Sequence, residues 1–505
     1  MKTESQEMPS SFPENSERKP ESSLRFTYLS CIGAIHLIAF WSYYTTFPGL
    51  LSSSGIEPVG RLMPHVLPSV SQYVDAEDAD SFCELAAVLG MVLSCIAVSG
   101  YIQHGLLFGA MTFLYSILTR VGGTFYSFQW DTLLLETGML TAVCYAPWTR
   151  LRPTSLSEMG AWPLRILLFK LMYMSGVVKI QSRCPTWQNL TALEYHFATQ
   201  CLPGPLAWHV QQLHPLFLRI SVAASLLIEI PGAFLLLLSG AALKIGVMLQ
   251  ILLQVIIIVT GNYNFFNLLT IALCLVCLDR RASTMKLEVS ACASSRFCVE
   301  CDLILAQNQI YHAATWLFLG LSCFRMFSLE KYQDRWNVSL KVSKAHCDAF
   351  SEATLPRVIL ACLALVLWSG ARRAVRKRSP SVAFHTLVCV LAIGVTALPL
   401  FSLTWTLEQN GFWGSKQIFE PLSRAYLRPY RLSNGYGLFR RMTGVGPLAG
   451  MGWAGQPPSV VARPEIILEG IFEGEEDEAW TELSFRWKPG DEHDMPRQVA
   501  PHQPR

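Results

Sequence analysis

The chain has 505 residues, of which 51% are hydrophobic and 15% are charged. Its mean hydropathy of +0.32 is too high for an ordinary soluble protein of this length. The net charge of +3 comes with no stretch that interleaves Lys or Arg with aromatic residues, which excludes a nucleic-acid-binding surface. We therefore predict a mainly α, polytopic helical membrane protein embedded in the lipid bilayer.

The polar N-terminus, residues 1–25, is expected to be disordered and cytoplasmic. A multi-span transmembrane helical domain is predicted over residues 26–403, in which we mark eleven apolar runs of span length. The predicted spans are residues 26–46, 83–101, 104–119, 131–147, 163–180, 216–239, 242–260, 264–278, 305–325, 356–370 and 382–403.

Basic clusters predict the orientation of these spans. Arg18, Lys19 and Arg25 precede the first run, so the positive-inside rule places the N-terminus in the cytoplasm. With strict alternation of the spans, the other basic groups also fall on the cytoplasmic side. These groups are Arg150, Arg152 and Arg165, then Arg280 and Arg281, then Arg372, Arg373, Arg376, Lys377 and Arg378.

Two N-glycosylation sequons fall on the opposite side of the membrane. The Asn189 sequon (Asn-Leu-Thr) lies in a predicted luminal loop, residues 181–215, and the Asn337 sequon (Asn-Val-Ser) lies in another, residues 329–355. Because the sequons and the basic clusters agree, we predict that Asn189 and Asn337 are luminal acceptor sites.

Few ionisable residues lie in or beside the spans. Asp131 and Glu136 open the fourth span, and Lys179 closes the fifth. We expect Asp131, Lys179 and the Asn-rich turn at residues 261–267 to lie near the membrane interfaces, where side chains reach headgroups or water. Glu229 lies within the sixth span and is predicted to hydrogen-bond to a neighbouring helix rather than to carry protons or ions.

Cysteine positions suggest one disulfide bond. Cys184 and Cys201 bracket the loop after the fifth span, in an oxidising compartment, so we predict a bridge between them, with two free thiols as the alternative. Cys298 and Cys301 have zinc-like spacing but lack a fourth ligand. We therefore predict no metal site and no cofactor.

The last hundred residues differ in character from the spans. Residues 404–505 are predicted to form a luminal C-terminal domain, because eleven spans separate them from the cytoplasmic N-terminus. Apolar and polar residues alternate in residues 465–470 and 480–487. This pattern predicts two strands of a half-buried hairpin joined by an acidic turn. The Gly- and Pro-rich residues 447–461 indicate an irregular insertion or a flexible loop.

Common catalytic signatures are absent from the sequence. It contains no Gly-rich phosphate loop, no Gly-x-Ser-x-Gly elbow and no His-Glu-x-x-His zinc pair. We therefore predict no catalytic residues.

Several long motifs, in order along the chain, resemble those of the lipase maturation factors. The motifs are residues 127–138 (SFQWDTLLLETG), 175–179 (SGVVK), 184–187 (CPTW), 190–193 (LTAL), 199–203 (TQCLP), 228–231 (IEIP), 261–267 (GNYNFFN) and 436–444 (YGLFRRMTG). The last of them is most similar to the factor 2 branch of this family. The motif residues singled out by the resemblance are Gln129, Trp130, Asp131, Glu136, Lys179, Glu229, Asn262, Asn264, Asn267, Tyr436, Arg440 and Arg441.

The resemblance implies a multi-pass membrane protein of the endoplasmic reticulum that helps secreted lipases, such as lipoprotein lipase, to fold and assemble. It implies a luminal working surface, for which Tyr436, Phe439, Arg440 and Arg441 are candidates, and other folding factors of the endoplasmic reticulum as further partners. Family members continue past the end of this sequence, so we expect the 404–505 domain to be truncated.

The alternative is an intramembrane enzyme. Residues 173–180 (YMSGVVKI) are also distantly similar to the lysine-bearing segment of vitamin-K-dependent carboxylases, which have a comparable multi-span organisation. A Lys at the edge of a low-dielectric site could act as a base, whereas the structural interpretation of Lys179 is a helix-end anchor. A transporter would show inverted repeats or paired broken helices, and the sequence shows neither.

Overall fold

The structure, a computed structural model, describes residues 23–146, 148, 154–182, 184–278, 299–332, 335–402, 430–437, 467–471, 480–488, 490 and 493–502. This part of the chain is mainly α-helical. The helices are α1 (Ser23–Leu50), α2 (Val59–Val66), α3 (Pro68–Ser71), α4 (Ala79–Ser99), α5 (Gly105–Val121), α6 (Gln129–Leu140), α7 (Thr154–Gln181), α8 (Pro185–Gln188), α9 (Ala192–His196), α10 (Ala207–Gln211), α11 (Pro215–Glu229), α12 (Pro231–Leu235), α13 (Gly240–Thr260), α14 (Phe266–Leu278), α15 (Val299–Met326), α16 (Lys344–Lys377) and α17 (Pro380–Ser402).

Each of the eleven predicted apolar runs coincides with helical structure, which confirms a multi-pass membrane protein. Apolar sequence becomes helix in a membrane because every backbone polar group must bond within its own segment. Seven helices in the described ranges are long and apolar enough to span a bilayer: Leu24–Leu50, Ala79–Ser99, Met159–Gln181, Pro215–Leu235, Gly240–Thr260, Lys344–Lys377 and Pro380–Phe401. Two further apolar helices, α5 and α14, are shorter. A count of eleven spans stays a prediction.

Helix α7 forms the centre of the bundle. Residues 164–169 are buried on every face of this helix, as expected for a helix that is apolar all round. Its neighbours are α6, α11, α12, α14, α16 and α17. Any polar side chain on α7 must therefore find its partner inside the bundle.

The predicted sixth span is a broken helix. Pro231 has no N–H to continue α11, so α11 ends at Glu229 and α12 begins at Pro231. Gln250 on α13 donates from Nε2 to the carbonyl oxygen of Ile228 at 2.9 Å, which satisfies one acceptor beside the break.

Arg165, which is predicted to flank the cytoplasmic loop before the fifth span, is buried and bonds the backbone just after α12. It lies within α7 and is only 2% exposed. Its guanidinium donates to the carbonyl oxygens of Leu236 (3.2 Å from Nε and 2.7 Å from Nη2) and Leu238 (2.7 Å), just after α12. The last carbonyls of a helix have no partner within it and carry partial negative charge, so a cation suits this position.

Two helices begin before the predicted apolar runs. Helix α16 is 34 residues long and begins at a capping box formed by Ser343 and His346, so residues 344–355 of the predicted luminal loop are helical. Its first turns are polar, and an apolar run therefore does not reveal them. Helix α1 begins at Ser23, so Arg25 is helical and donates to the carbonyl oxygen of Tyr145.

Between α15 and α16 the chain forms an antiparallel hairpin of β1 (Phe327–Tyr332) and β2 (Arg335–Leu340). Its register pairs Leu329 with Val338 and Glu330 with Asn337. The Asn337 side chain is partly buried, and its Oδ1 accepts from Arg219 Nη1 of α11 at 2.7 Å. The hairpin is thereby fixed to the bundle.

The predicted C-terminal hairpin is present over a shorter length. Strand β3 (Glu469–Gly470) pairs antiparallel with β4 (Thr481–Glu482), and Leu483 N donates to Leu468 O at 2.7 Å. The acidic turn and residues 447–461 lie outside the described residues.

Several connecting segments meet at one end of the bundle, which we name the loop-rich end. It holds residues 51–78, 122–128, 184–214, 261–265, 327–332, 335–343 and 430–437. Contacts between them include an isolated bridge from Pro203 to Gly261 and the bond from Arg431 Nη1 to Tyr126 O at 2.7 Å.

We predict that Arg165→Met lowers the free energy of unfolding by about 2–4 kcal/mol, because the buried carbonyl of Leu236 and the neighbouring carbonyl of Leu238 lose a charged donor. The measurement is the apparent melting temperature of the detergent-solubilised protein. The matched control is Arg61→Met, which changes an exposed Arg. Equal melting temperatures for the two variants would contradict this role of Arg165.

Candidate functional site

The most buried charges of the described chain form an ion pair between α6 and α7. Lys170 Nζ lies 2.5 Å from Glu136 Oε1, and both side chains are 0% exposed. Glu136 lies two turns inside α6 and Lys170 lies in the middle of α7, so neither side chain can reach water along its own helix. The pair therefore depends on its protein surroundings.

A segment that follows the last span completes this pair. We name residues 430–437 the return segment, because they lie against the helices after α17 has ended. The Tyr436 hydroxyl donates to Glu136 Oε2 at 2.8 Å, and Asn434 N lies 3.3 Å from the same oxygen. Lys170 Nζ lies 5.2 Å from the centre of the Tyr436 ring, within cation–π range.

Three further bonds hold the return segment in place. Gln129, at the start of α6, makes two of them with the backbone of Gly437. Gly437 N donates to Gln129 Oε1 at 3.0 Å, and Gln129 Nε2 donates to Gly437 O at 3.2 Å. Ser433 Oγ donates to Val395 O of α17 at 2.6 Å. The segment thus joins α6, α7 and α17.

Tyr436 was expected on an exposed luminal surface, and that expectation is wrong. The residue is 3% exposed. Burial, and then the neighbouring Glu136 carboxylate, raise the pKa of Tyr436 well above its usual value, so the phenol stays protonated and acts as a donor. Phe439, Arg440 and Arg441 lie outside the described residues.

A second ion pair joins α7 to the broken helix. Lys179 Nζ bonds Glu229 Oε2, and the same nitrogen lies 5.2 Å from the centre of the Trp187 ring. This confirms that Glu229 bonds to a neighbouring helix. Lys179, which was expected near an interface, is thus held by a carboxylate and an aromatic ring.

Other motif residues expected at the interfaces are also buried. Asp131 is 0% exposed and accepts from the Tyr115 hydroxyl at 2.6 Å. Asn267 donates to Gln254 Oε1 at 2.7 Å, and Asn264 adopts a left-handed backbone (φ 53°) while its Oδ1 accepts from the next backbone N–H. Asp131 and Asn267 thus bond other buried side chains, whereas Asn264 bonds the backbone of its own turn.

Two of the remaining motif residues also pack inside the loop-rich end. Trp130 is 0% exposed and stacks on Phe128, with 4.6 Å between the ring centres. Asn262 is 2% exposed and donates to the carbonyl oxygens of Leu202 and Pro203 at 3.2 and 3.3 Å. Most of the motif residues that the structure describes therefore make contacts inside the protein and are not exposed at its surface.

The predicted modification sites differ in their surroundings. Asn189 is exposed just after α8, whereas the Asn337 side chain bonds Arg219. Cys184 and Cys201 are not bridged to each other in this structure, and Cys184 Sγ lies 3.0 Å from Thr186 Oγ1, so the disulfide stays a prediction. Among the described residues no group of His, Cys, Asp and Glu could hold a metal ion, and Cys298 is not one of these residues.

Sequence reasoning missed Lys170 and the internal position of Arg165. A lone cation in the middle of an apolar run is expensive in hydrocarbon and therefore signals an internal partner. That signal was present at Lys170 in residues 164–174 (LRILLFKLMYM). The partner Tyr436 could not be found this way, since it lies 300 positions from Glu136.

The fold and the site define a polytopic α-helical membrane protein whose buried charges tie a later segment of the chain to its spans. Residues 23–285 match the family described as the lipase maturation factor transmembrane domain. The chain is 34% identical over 524 residues to lipase maturation factor 2 of Xenopus laevis. The aligned region covers 95% of this chain and 69% of the relative. It therefore belongs to the lipase maturation factor family.

Other relatives give the same result. Lipase maturation factor 2 of Homo sapiens is 33% identical over 525 residues, covering 95% of this chain and 70% of the relative. Lipase maturation factor 1 of Homo sapiens is 35% identical over 274 residues, covering 50% of this chain and 48% of the relative. No solved structure matches this chain. The resemblance inferred from the motifs is confirmed.

We predict that Lys170→Met lowers the free energy of unfolding by about 3–5 kcal/mol, because it leaves the Glu136 carboxylate buried without its cation. The double variant Glu136→Gln with Lys170→Met removes both charges, so its loss is smaller than the sum of the two single losses by about 1–3 kcal/mol. Apparent melting temperatures of all four proteins in detergent give this comparison. Additive losses would show that the two residues do not interact.

We also predict that the loop around His196 loses stability as the pH falls. Burial, and then the positive charge of Lys179, lower the pKa of His196 to about 4, and Nε2 lies 2.9 Å from the Tyr263 hydroxyl. The usual pKa of a histidine is 6.5, so His196 is protonated in the unfolded state but neutral in the folded state between pH 6.5 and pH 4. Stability that is present above pH 6.5 is therefore progressively lost as the pH falls through this range.

The measurement is hydrogen exchange of residues 184–200 at pH 7 and pH 5, corrected for intrinsic exchange rates. His196→Asn is the control, and its exchange should depend much less on pH. Protection that is independent of pH in the wild-type protein would show that His196 does not titrate in this way.

Proposed function

We propose that this chain is a non-catalytic factor of the endoplasmic reticulum membrane that assists the folding, assembly and export of secreted lipases of the lipoprotein lipase type. Its membership of the lipase maturation factor family is the observation that carries the proposal. In this proposal the N-terminus is cytoplasmic, the C-terminus is luminal, and the loop-rich end faces the lumen together with Asn189 and Asn337.

The distribution of charge supports this orientation. Arg372, Arg376 and Lys377 lie at the end of α16 away from the loop-rich end, and exposed basic residues favour the cytoplasmic side. Both sequons lie at the loop-rich end, where the glycosylation machinery would reach them.

The loop-rich end offers apolar side chains for a folding client. Tyr73 is 87% exposed, Trp208 63%, Leu329 62% and Trp336 55%. Exposed aromatic and aliphatic groups near the membrane surface can cover the hydrophobic face of an unassembled lipase, and they release it when the lipase pairs with its own partner surface. Other folding factors of the endoplasmic reticulum could bind at the same end.

The ion pairs give this surface a fixed position. The return segment is held by Glu136 and Gln129, so the C-terminal region begins at a defined place on the bundle. We infer that the membrane domain serves as a scaffold and that client contacts lie on the loops and the C-terminal region.

The alternative function is an intramembrane enzyme related to vitamin-K-dependent carboxylases, with Lys179 as the base. The bond from Lys179 to Glu229 favours the structural role, because the Lys179 ammonium is already engaged by a carboxylate and by the Trp187 ring. Replacement by Arg keeps the charge and removes the ability to act as a base.

The experiment uses cells that lack endogenous maturation factors and measures secreted lipoprotein lipase activity, normalised to lipase protein. We predict that this chain restores activity and that Lys179→Arg restores at least about half as much, because Arg can still pair with Glu229. Tyr436→Phe should lower the rescue several-fold, while Tyr430→Phe, which changes a half-exposed ring, should not.

Each outcome distinguishes the two functions. If the well-expressed wild-type chain gives no rescue, the lipase function is wrong for this chain. If Lys179→Arg abolishes the rescue while the protein keeps its melting temperature, the enzyme function is favoured.

A further inference from the structure

The C-terminal end of α16 carries a dense group of cations. We name residues 372–378 (RRAVRKR) the basic end, in which five of the seven residues are Arg or Lys. The hairpin of α16 and α17 provides no carboxylate to neutralise them, because residues 353–407 contain no Asp or Glu. Four of the five cations are exposed, namely Arg372, Arg376, Lys377 and Arg378.

The stability of the helix does not require all of these charges. Arg376 and Lys377 lie in the last turn of α16, where a cation complements the partial negative charge of the helix end. This effect falls off within one turn, so it does not account for Arg372, which lies farther inside the helix. A ligand outside the helix would account for it.

The basic end also differs from other cations that are predicted on the same side of the membrane. Arg25 and Arg165 bond backbone carbonyls of Tyr145 and Leu236 within the bundle. The side chain of Arg372 is instead exposed on the outer surface of α16. It is therefore placed to meet molecules that surround the bundle.

An aromatic ring indicates the depth of the basic end in the membrane. Trp368 is 55% exposed, and the guanidinium carbon of Arg372 lies 4.7 Å from the centre of its ring. Exposed Trp rings in membrane proteins concentrate at the level of the lipid headgroups. One helical turn rises about 5.4 Å, so the basic end begins at the same level, one turn beyond this ring.

Apolar and basic side chains share one exposed face of α16. Leu365, Trp368, Arg372 and Val375 follow one another at spacings of three and four residues, so they lie along one side of the helix. Val375 is 79% exposed although cations flank it on both sides. This mixture matches the boundary between acyl chains and headgroups. It favours a lipid over a nucleic acid or an acidic protein, since those bind from water.

We propose that this face of α16 is a binding site for an anionic phospholipid of the surrounding membrane. The acyl chains lie against Leu365 and Trp368, and the phosphate headgroup lies against the cations of the basic end. The site is independent of the lipase function, because it is defined by the charge and depth of one helix end.

The experiment measures lipid binding to the full-length protein in detergent by native mass spectrometry. The two lipids are phosphatidylserine and phosphatidylcholine with the same acyl chains, so they differ in headgroup charge. We expect phosphatidylserine to bind about tenfold more tightly, because each Lys or Arg near the headgroups attracts an anionic lipid.

Two matched variants locate the site. The variant Arg372→Gln, Arg376→Gln, Lys377→Gln should lose the preference for phosphatidylserine, about tenfold, while it binds phosphatidylcholine as the wild type does. The control Arg61→Gln, Lys341→Gln, Arg357→Gln removes three exposed cations elsewhere and should keep the preference. Apparent melting temperatures verify that both variants are folded.

Two measurements on the wild-type protein need no variant. Raising ammonium acetate from about 0.05 M to about 0.5 M should weaken phosphatidylserine binding several-fold and leave phosphatidylcholine binding unchanged, because salt screens exposed charges. Glycerophosphoserine, which has the same headgroup without acyl chains, should not displace phosphatidylserine at equal concentration.

Three results would overturn the proposal: equal binding of the two lipids by the wild type, an unchanged preference in the folded basic-end variant, or displacement by glycerophosphoserine. The last result would show a site for soluble phosphate compounds instead. Each of these measurements is made without a lipase, so failure of the lipid site is distinguishable from failure of the lipase function.

Discussion

A charge buried among membrane helices must have a partner, and the Glu136 carboxylate is where this constraint acts most strongly. Its two oxygens bind Lys170 of α7 and Tyr436 of the return segment. Neither oxygen can turn to water, because the side chain is fully buried. One carboxylate therefore links α6, α7 and the return segment.

The same constraint explains the other polar contacts of the bundle. Arg165 satisfies the carbonyls at the end of α12, and Lys179 pairs with Glu229 just before the Pro231 break. Asn262 bonds the backbone of residues 497–500, far along the chain. Apolar residues determine which segments become helices, whereas these few polar residues determine which helices and loops meet.

The sequence predicted what depends on neighbouring residues. Hydropathy located each helix of the eleven runs, because an apolar run in a membrane has no alternative to helix. It also identified Glu229 as a helix-to-helix contact, since a carboxylate in the middle of a span must find a partner on a neighbouring helix. The motifs identified the family, because their order along the chain does not depend on the fold.

The sequence did not predict what depends on distant residues. The partners of Glu136 lie 34 and 300 positions away, so no local pattern connects them. Lys170 was overlooked inside its apolar run, and Asp131 was placed at an interface because hydropathy cannot distinguish an exposed helix end from a covered one. The polar first turns of α16 and the β1–β2 hairpin were missed for a related reason, since both lie beyond the apolar runs that defined the spans.

Hydrogen exchange of the return segment tests the central claim most directly. The amides of Asn434 and Gly437 bond Glu136 and Gln129 in this structure. They should exchange slowly in the wild-type protein and markedly faster in Glu136→Gln, while amides of α4 are unchanged. If the return segment of the wild-type protein exchanges as fast as an unstructured peptide, the central claim is contradicted, because the buried carboxylate then does not hold this segment to the bundle.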